Sequence, residues 1–149
     1  MTYAHPEGRK AVFGGDFINR GPEVAEVLRV VRSMTEADSA LAVLGNHEFN
    51  LFTNAFAGKD EPLAECRAHL NWLRGLPLSL EVEGLRVVHA AWHAASVEIV
   101  AGRTCEDEEF VRRAATKGTP EHKAARILLK GIRVPLPRDK VYRDRFGIP

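Results

Sequence analysis

Lys10-Ala11-Val12-Phe13-Gly14-Gly15-Asp16-Phe17-Ile18-Asn19-Arg20-Gly21 and Ser39-Ala40-Leu41-Ala42-Val43-Leu44-Gly45-Asn46-His47-Glu48 share one grammar. In each, a short apolar run stops at glycine and gives way to polar, chemistry-bearing residues. Runs of this kind read as buried strands ended by a turn. Between them, Pro22 suits the first turn of a helix. Val24, Val27, Leu28, Val31 and Met34 fall at helical spacing and make one apolar face. Strand, helix, strand predicts a parallel pair joined by a crossover, and so an α/β fold. Loops leaving the carboxyl ends of neighbouring parallel strands face one crevice. Asp16 and Asn46 are therefore expected to approach one point.

Leu63 to Leu73 predicts a helix with Leu63, Cys66, Leu70 and Leu73 as its stripe, ended by Gly75-Leu76-Pro77. Leu78–Val82 and Leu85–Val88 flank Glu83-Gly84, a hairpin signal, and the second strand runs into His89. Glu106 to Thr116 reads as a helix with acids first and bases last, the favourable sense for its dipole. Thr119-Pro120-Glu121 starts another, carrying Leu128 and Leu129. The stretches 52–62 and 94–105 carry no readable signal, and from Val134 the chain is proline-broken and charged.

The length of 149 residues fits a single domain, 1–149. A formal net charge of +1 points to neither a nucleic-acid polymer nor a membrane surface as partner. No apolar run approaches the roughly 18 residues of a membrane span, and the first residues show no basic start with an apolar core behind it. The expected setting is cytoplasmic. Cys66 and Cys105 match no zinc or redox spacing, and the plain expectation is two reduced thiols.

Each chemistry-bearing residue has a plain reading when taken alone. Asp16 before a glycine-rich stretch suits a turn. Asn46 suits a strand end or a helix cap, and His47 or His89 suits a hydrogen-bonded polar residue. Together, a carboxylate, a side-chain amide and an imidazole at three strand ends suit an ion such as Mn, Fe or Zn.

The pair Gly15-Asp16-Phe17-Ile18-Asn19-Arg20-Gly21 and Gly45-Asn46-His47-Glu48 resembles the signature of calcineurin-like metallophosphoesterases. Val87-Val88-His89-Ala90 resembles that family's third element. More loosely, the runs His5 to Phe13, Asn46 to Asn50 and His89 to His93 resemble a bacterial phosphoprotein-phosphatase or dinucleoside-tetraphosphatase branch. The resemblance implies an αββα metallophosphoesterase sandwich. It implies Asp16 as a metal-bridging ligand, with Asn46 and His89 as ligands of the second ion. His47 would protonate the leaving oxygen and Arg20 would grip phosphate oxygens. The implied reaction is in-line hydrolysis of a phosphoprotein or dinucleoside polyphosphate by metal-activated water, with no covalent enzyme intermediate. The metal would be divalent, Mn first, with Fe, Zn or Ni as alternatives. Glu48 is expected to anchor its loop. His93, Trp92, His5, His69 and His122 are expected to be structural or ordinary residues.

The sequence also departs from that pattern. No Asp-x-His precedes Asp16, no late Gly-His element follows, and Asn19 stands where the family has Asp. A weaker general acid is the expected result of Asn19, because the amide lacks the carboxylate's charge. Asp16, Asn46 and His89 suffice for one ion and not for two. The expectation is a fold incomplete at both ends, holding one ion or none. The alternative to an enzyme is a catalytically impaired remnant that acts as a binding or interaction module.

Overall fold

The structure, a computed structural model, describes residues 5–19, 21–59, 64–135, 137, 141 and 143. Its strands are β1 (Ala11–Phe13), β2 (Ala40–Ala42), β3 (Ser79–Val82) and β4 (Leu85–Val88). Its α-helices are α1 (Val24–Glu36), α2 (Asn46–Phe56), α3 (Leu70–Gly75), α4 (Ala94–Val100), α5 (Glu108–Ala115) and α6 (Pro120–Lys130), with a 3-10 helix at Ala64–His69. The α/β expectation holds.

β1 and β2 pair in parallel, with Ala11 opposite Ala40 and Phe13 opposite Ala42. The ladder continues past β2, where Val43 N donates to Phe13 O at 3.0 Å. Leu44 N then donates to Pro77 O at 2.9 Å, which brings the approach to β3 beside the end of β2. α1 crosses between the parallel strands and buries Val24, Leu28 and Val31. Their spacing is the i, i+4, i+7 stripe of a helix lying on a core. Val27 belongs to the expected apolar face but is 41% exposed, because it sits at that stripe's margin. Pro22 lies outside the helix, whose N-cap is Glu23.

The sequence predicts a buried strand at Lys10–Phe13, and β1 is only half buried, with Val12 38% exposed. Among the described residues β2 is the only strand paired with it. The hairpin is as expected: β3 and β4 are antiparallel, and Glu83 and Gly84 both have positive φ, 50° and 80°. That conformation is the one a two-residue hairpin turn of matching twist requires. The expected 63–73 helix begins as the 3-10 helix and becomes α-helical at Leu70. Leu63 lies outside the described residues, as does most of the chain beyond Val134.

Two helices carried no sequence signal. α2 occupies the positions directly after the Gly45 turn, and α4 is capped by His93, whose Nδ1 accepts from Ser96 N at 3.2 Å. α5 starts at Asp107, whose carboxylate accepts from Phe110 N. α6 starts as expected, with Thr119 as cap and Pro120 in its first turn. α6 packs on α4 and α5, and α5 packs on α2. Leu28, Leu44, Phe49, Leu73, Phe110 and Leu128 are the large side chains of the core these elements share. Cys66 and Cys105 are buried and unbridged, as expected. Among the described residues no helix is long and apolar enough to cross a membrane.

Candidate functional site

The loops after β1 and β2 meet because each places a glycine, Gly15 and Gly45, at the point of contact. A Cβ on Gly15 would fall on the backbone nitrogen of Gly45, and one on Gly45 would fall on the nitrogen and carboxylate of Asp16. Gly15 also has φ of +91°, a region that glycine enters at little cost. Asp16 and Asn19 have positive φ as well, at 60° and 73°. Non-glycine residues held there store strain, and the surrounding contacts must hold them in place.

Those contacts come from Glu48, which is fully buried. One carboxylate oxygen accepts from Asp16 N and Gly45 N, each at 2.9 Å. The other accepts from Phe17 N at 2.8 Å and Ile18 N at 3.2 Å. A single side chain at the third position of α2 thus satisfies four amides from both loops. Acceptor geometry of this kind is the strong, charge-assisted class of hydrogen bond. The expectation that Glu48 anchors its loop is met, and the anchor spans both loops.

The tie sets the relative positions of the chemistry-bearing groups. His47 N donates to Asp16 Oδ1 at 3.3 Å, and His47 Nε2 lies 3.9 Å from Asp16 Oδ2. Asn19 Nδ2 is 3.3 Å from His47 Nδ1. With that amide donating, the neutral ring carries its proton on Nε2. Asn46 opens α2 between Gly45 and His47.

His89 arrives from the other side, at the end of β4. Its Nδ1 lies 2.7 Å from the carbonyl of Gly14, and its Nε2 lies 3.5 Å from Asp16 Oδ1. A carbonyl can only accept, so Nδ1 donates and the Nε2 of the neutral ring presents a lone pair. In that neutral form the lone pair faces a carboxylate oxygen, and two acceptors at this distance are reconciled by a cation between them, either a metal ion or a ring proton. Tetrahedral ligands about 2.1 Å from one ion sit roughly 3.4 Å apart. A metal-binding imidazole commonly gives its second N–H to a backbone carbonyl, as here. The side chains of Asp16, His47 and His89 are between 19% and 32% exposed, so the cluster is reachable from solvent. Among the described residues no group of three His, Cys, Asp or Glu is placed to hold one metal ion. Asn46 adjoins His47 at the start of α2, and a mix of carboxylate, amide and imidazole donors is of the kind that suits a divalent first-row ion.

Of the expected site residues, the structure brings Asp16, Asn19, His47 and His89 together, with Asn46 adjoining. Arg20 lies outside the described residues. His93 and Trp92 take structural positions: the first caps α4, and the second stacks under the Arg86 guanidinium at 5.3 Å. His122 bonds the Ala114 carbonyl, and His5 Nδ1 accepts from Glu7 N. The burial that lowers the His69 pKa leaves its Nδ1 without a partner. Reading the sequence missed the facing role of Gly15 and Gly45 and the hold of Gly14 on His89. A signal for the first was present, because each glycine precedes the site residue at the end of a parallel strand.

The chain matches the family model described as calcineurin-like phosphoesterase over residues 3–140. It is 35% identical over 116 residues to a protein of Ralstonia nicotianae named symmetrical bis(5'-nucleosyl)-tetraphosphatase, covering 68% of this chain and 41% of that relative. A protein of the same name from Aromatoleum aromaticum is 34% identical over 122 residues, 62% of this chain and 41% of its own length. The Dechloromonas aromatica protein of that name is 39% identical over 87 residues, 51% of this chain and 31% of its own. The chain thus spans about two fifths or less of the length of these relatives. A family match across nearly the whole sequence, on the same two loops that Glu48 ties together, shows that this chain belongs to the calcineurin-like phosphoesterase family.

Proposed function

We propose that this chain carries the metal centre of a divalent-metal-dependent phosphatase that hydrolyses dinucleoside polyphosphates. The observation that carries the reading is His89, tied through Nδ1 to the Gly14 carbonyl, with Nε2 3.5 Å from Asp16 Oδ1, a spacing that suits two ligands of one ion. The names of the relatives favour a nucleotide substrate over a phosphoprotein, and favour an enzyme over an impaired binding module. Asp16, Asn46 and His89 are the proposed ligands, and manganese is the proposed ion because hard oxygen donors outnumber nitrogen. A divalent ion there supplies Lewis-acid polarisation of a phosphoryl oxygen and acidifies a water.

The residues divide the remaining work. Asp16 and His89 hold the ion's place. His47, carrying protons on both ring nitrogens, gives the one at Nε2 to the leaving oxygen and returns to the neutral ring. Asn19 lies against His47 Nδ1, where its amide oxygen, turned toward the ring, accepts from the imidazolium, and it lacks the charge with which a carboxylate would favour that form. Arg20, next to Asn19 in sequence, takes phosphate oxygens. One shared hydrophobic core supports reading residues 1–149 as part of a single domain, and two unbridged thiols support a cytoplasmic setting.

The test is manganese-dependent hydrolysis of diadenosine tetraphosphate, with His47→Ala purified in parallel, and manganese binding followed by electron paramagnetic resonance. The expected result is one bound ion per chain, lost in Asp16→Asn and in His89→Ala, and hydrolysis that disappears in His47→Ala. Manganese binding unchanged by both ligand substitutions would refute the assignment.

A further inference from the structure

A cavity of about 430 Å3 lies between α2, α5 and α6. This volume is within the range of small-ligand sites. Its rim carries Lys59 just past α2, Arg126 and Lys130 on α6, and Arg133 just beyond it. Among the described residues no carboxylate lines it and none of these four cations forms an ion pair. The pattern differs on α1 and α5, where Arg29 pairs with Glu26, Arg32 with Glu36, Arg112 with Glu109, and Arg113 with Glu121. A cation in the last turn of a helix is commonly explained by the helix dipole, and Lys130 fits that account. Arg126 is in mid-helix, and Lys59 and Arg133 lie outside helices, so the dipole does not explain their convergence.

α2 runs from the metal centre to the cavity. Asn46, Asn50 and Asn54 recur at every fourth residue and so lie on one stripe of that helix. Asn46 is one of the proposed ligands, while Asn50 and Asn54 line the cavity. At about 1.5 Å rise per residue, the stripe runs roughly 6 Å and then roughly 12 Å away from Asn46. On the opposite wall, His122, Arg126 and Lys130 recur at the same spacing on α6. Amides on one wall and cations on the other suit an extended polyanion. The floor is made of Ala114, Ala125 and Leu129, which offer it no polar partner.

We propose that this groove is an oligophosphate subsite, which holds the phosphates beyond the one under attack at the metal centre. The assignment of those phosphates to a substrate rests on the proposed function. The binding of an oligophosphate chain to the groove does not. Contacts to exposed cations are screened by salt, so the affinity falls as ionic strength rises.

The test is calorimetric titration of the chain with inorganic tripolyphosphate, in excess chelator so that the metal centre takes no part. Orthophosphate is the short-chain comparison. The expected result is one tripolyphosphate site that is weakened about tenfold or more in Arg126→Gln/Lys130→Gln, with unchanged circular dichroism and melting temperature. Asp16→Asn is expected to bind like the parent, as is Lys117→Gln/Lys123→Gln, which removes two exposed lysines outside the cavity. Orthophosphate is expected to bind far more weakly. Three results would overturn the proposal: no binding, equal weakening by the two double variants, or orthophosphate binding as tightly as tripolyphosphate. A parent chain that binds no manganese and hydrolyses no diadenosine tetraphosphate would sink the proposed function and leave this titration unaffected.

Discussion

Replacing Glu48 by Gln tests whether one side chain sets the geometry of the whole site. The carboxylate accepts from Asp16 N, Gly45 N, Phe17 N and Ile18 N, and no part of the residue reaches solvent. Gln keeps the shape and one oxygen, so two of these bonds survive. The other pair of amides meets an NH2 group, donor against donor. Each buried donor left unsatisfied costs about 1–3 kcal/mol, which puts the substitution at about 2–6 kcal/mol. That is a large share of the roughly 5–15 kcal/mol that holds a domain folded. Glu48→Ala strands all four amides and is expected to prevent folding, so Gln is the informative change. The assay is urea denaturation followed by tryptophan fluorescence, together with amide hydrogen exchange at Asp16, Phe17, Ile18 and Gly45. The expected result is a lower midpoint with exchange accelerated at two or more of these amides. A loss below about 0.5 kcal/mol, the scale of an ordinary surface change, with unchanged exchange would refute the reasoning.

Gly15→Ala forces a Cβ onto the Gly45 backbone at a positive φ. It should destabilise by about 2–4 kcal/mol, while Gly21→Ala, which meets nothing nearby, should change the melting temperature little; equal effects would contradict the close approach. Arg113 bonds the buried Glu121 carboxylate and holds its pKa below the usual 4.5. A carboxyl depressed in the fold stabilises fully above its unfolded pKa, and that stabilisation is lost as pH falls through the folded value. Arg113→Ala should therefore melt lower than the parent at neutral pH, with the gap closing in acid below about pH 4; a gap that stays constant would refute the pairing. Burial pushes the Cys105 thiol up to about 12 and raises that of Cys66. Neither should react with a disulfide reagent at about pH 8 until urea is added, because the thiolate is the reactive form. Rapid labelling of either thiol in the native protein would contradict that burial.

The elements legible in the sequence are those specified by their own residues. β1 and β2 show as apolar runs cut by glycine, the Glu83-Gly84 turn by its residue types, and α6 by Thr119-Pro120. α2 was not read although Asn46 suits a cap and Glu48 a first turn, because the actual cap, Gly45, has no side chain and the same residues also suit a strand end followed by a site loop. What starts that helix is Glu48 reaching back to Gly45 N and across to the other loop, a tertiary contact that propensity does not encode. α4 hides for a related reason, since its cap is a histidine rather than Ser, Thr, Asp or Asn. Asp16 and His47 could be paired from their positions after two parallel strands. The hold of Gly14 on His89 joins residues 75 positions apart and depends on where the hairpin docks, which no local pattern states.

The Gly45-Asn46-His47-Glu48 run gives four consecutive residues four different tasks. Gly45 admits the facing backbone, Glu48 fixes it there, and between them Asn46 and His47 are placed where the proposed reading needs a ligand and a proton. A catalytic arrangement must be held to within a fraction of an ångström, and supporting residues usually supply that precision. Here the supporting residue sits one helical turn from the residues it positions and is buried beneath them. Bringing Asp16 and Asn19 to positive φ costs backbone energy that the site must offset, and the four amide bonds of Glu48 are the contacts in place to do so. The same four bonds also explain why the loops belong together: three amides of the loop after β1 and one of the loop after β2 share a single carboxylate, so a shift of the first loop takes three amides out of register with it. The register of the two loops, and with it the distance between Asp16 and the α2 residues, follows from satisfying one buried carboxylate.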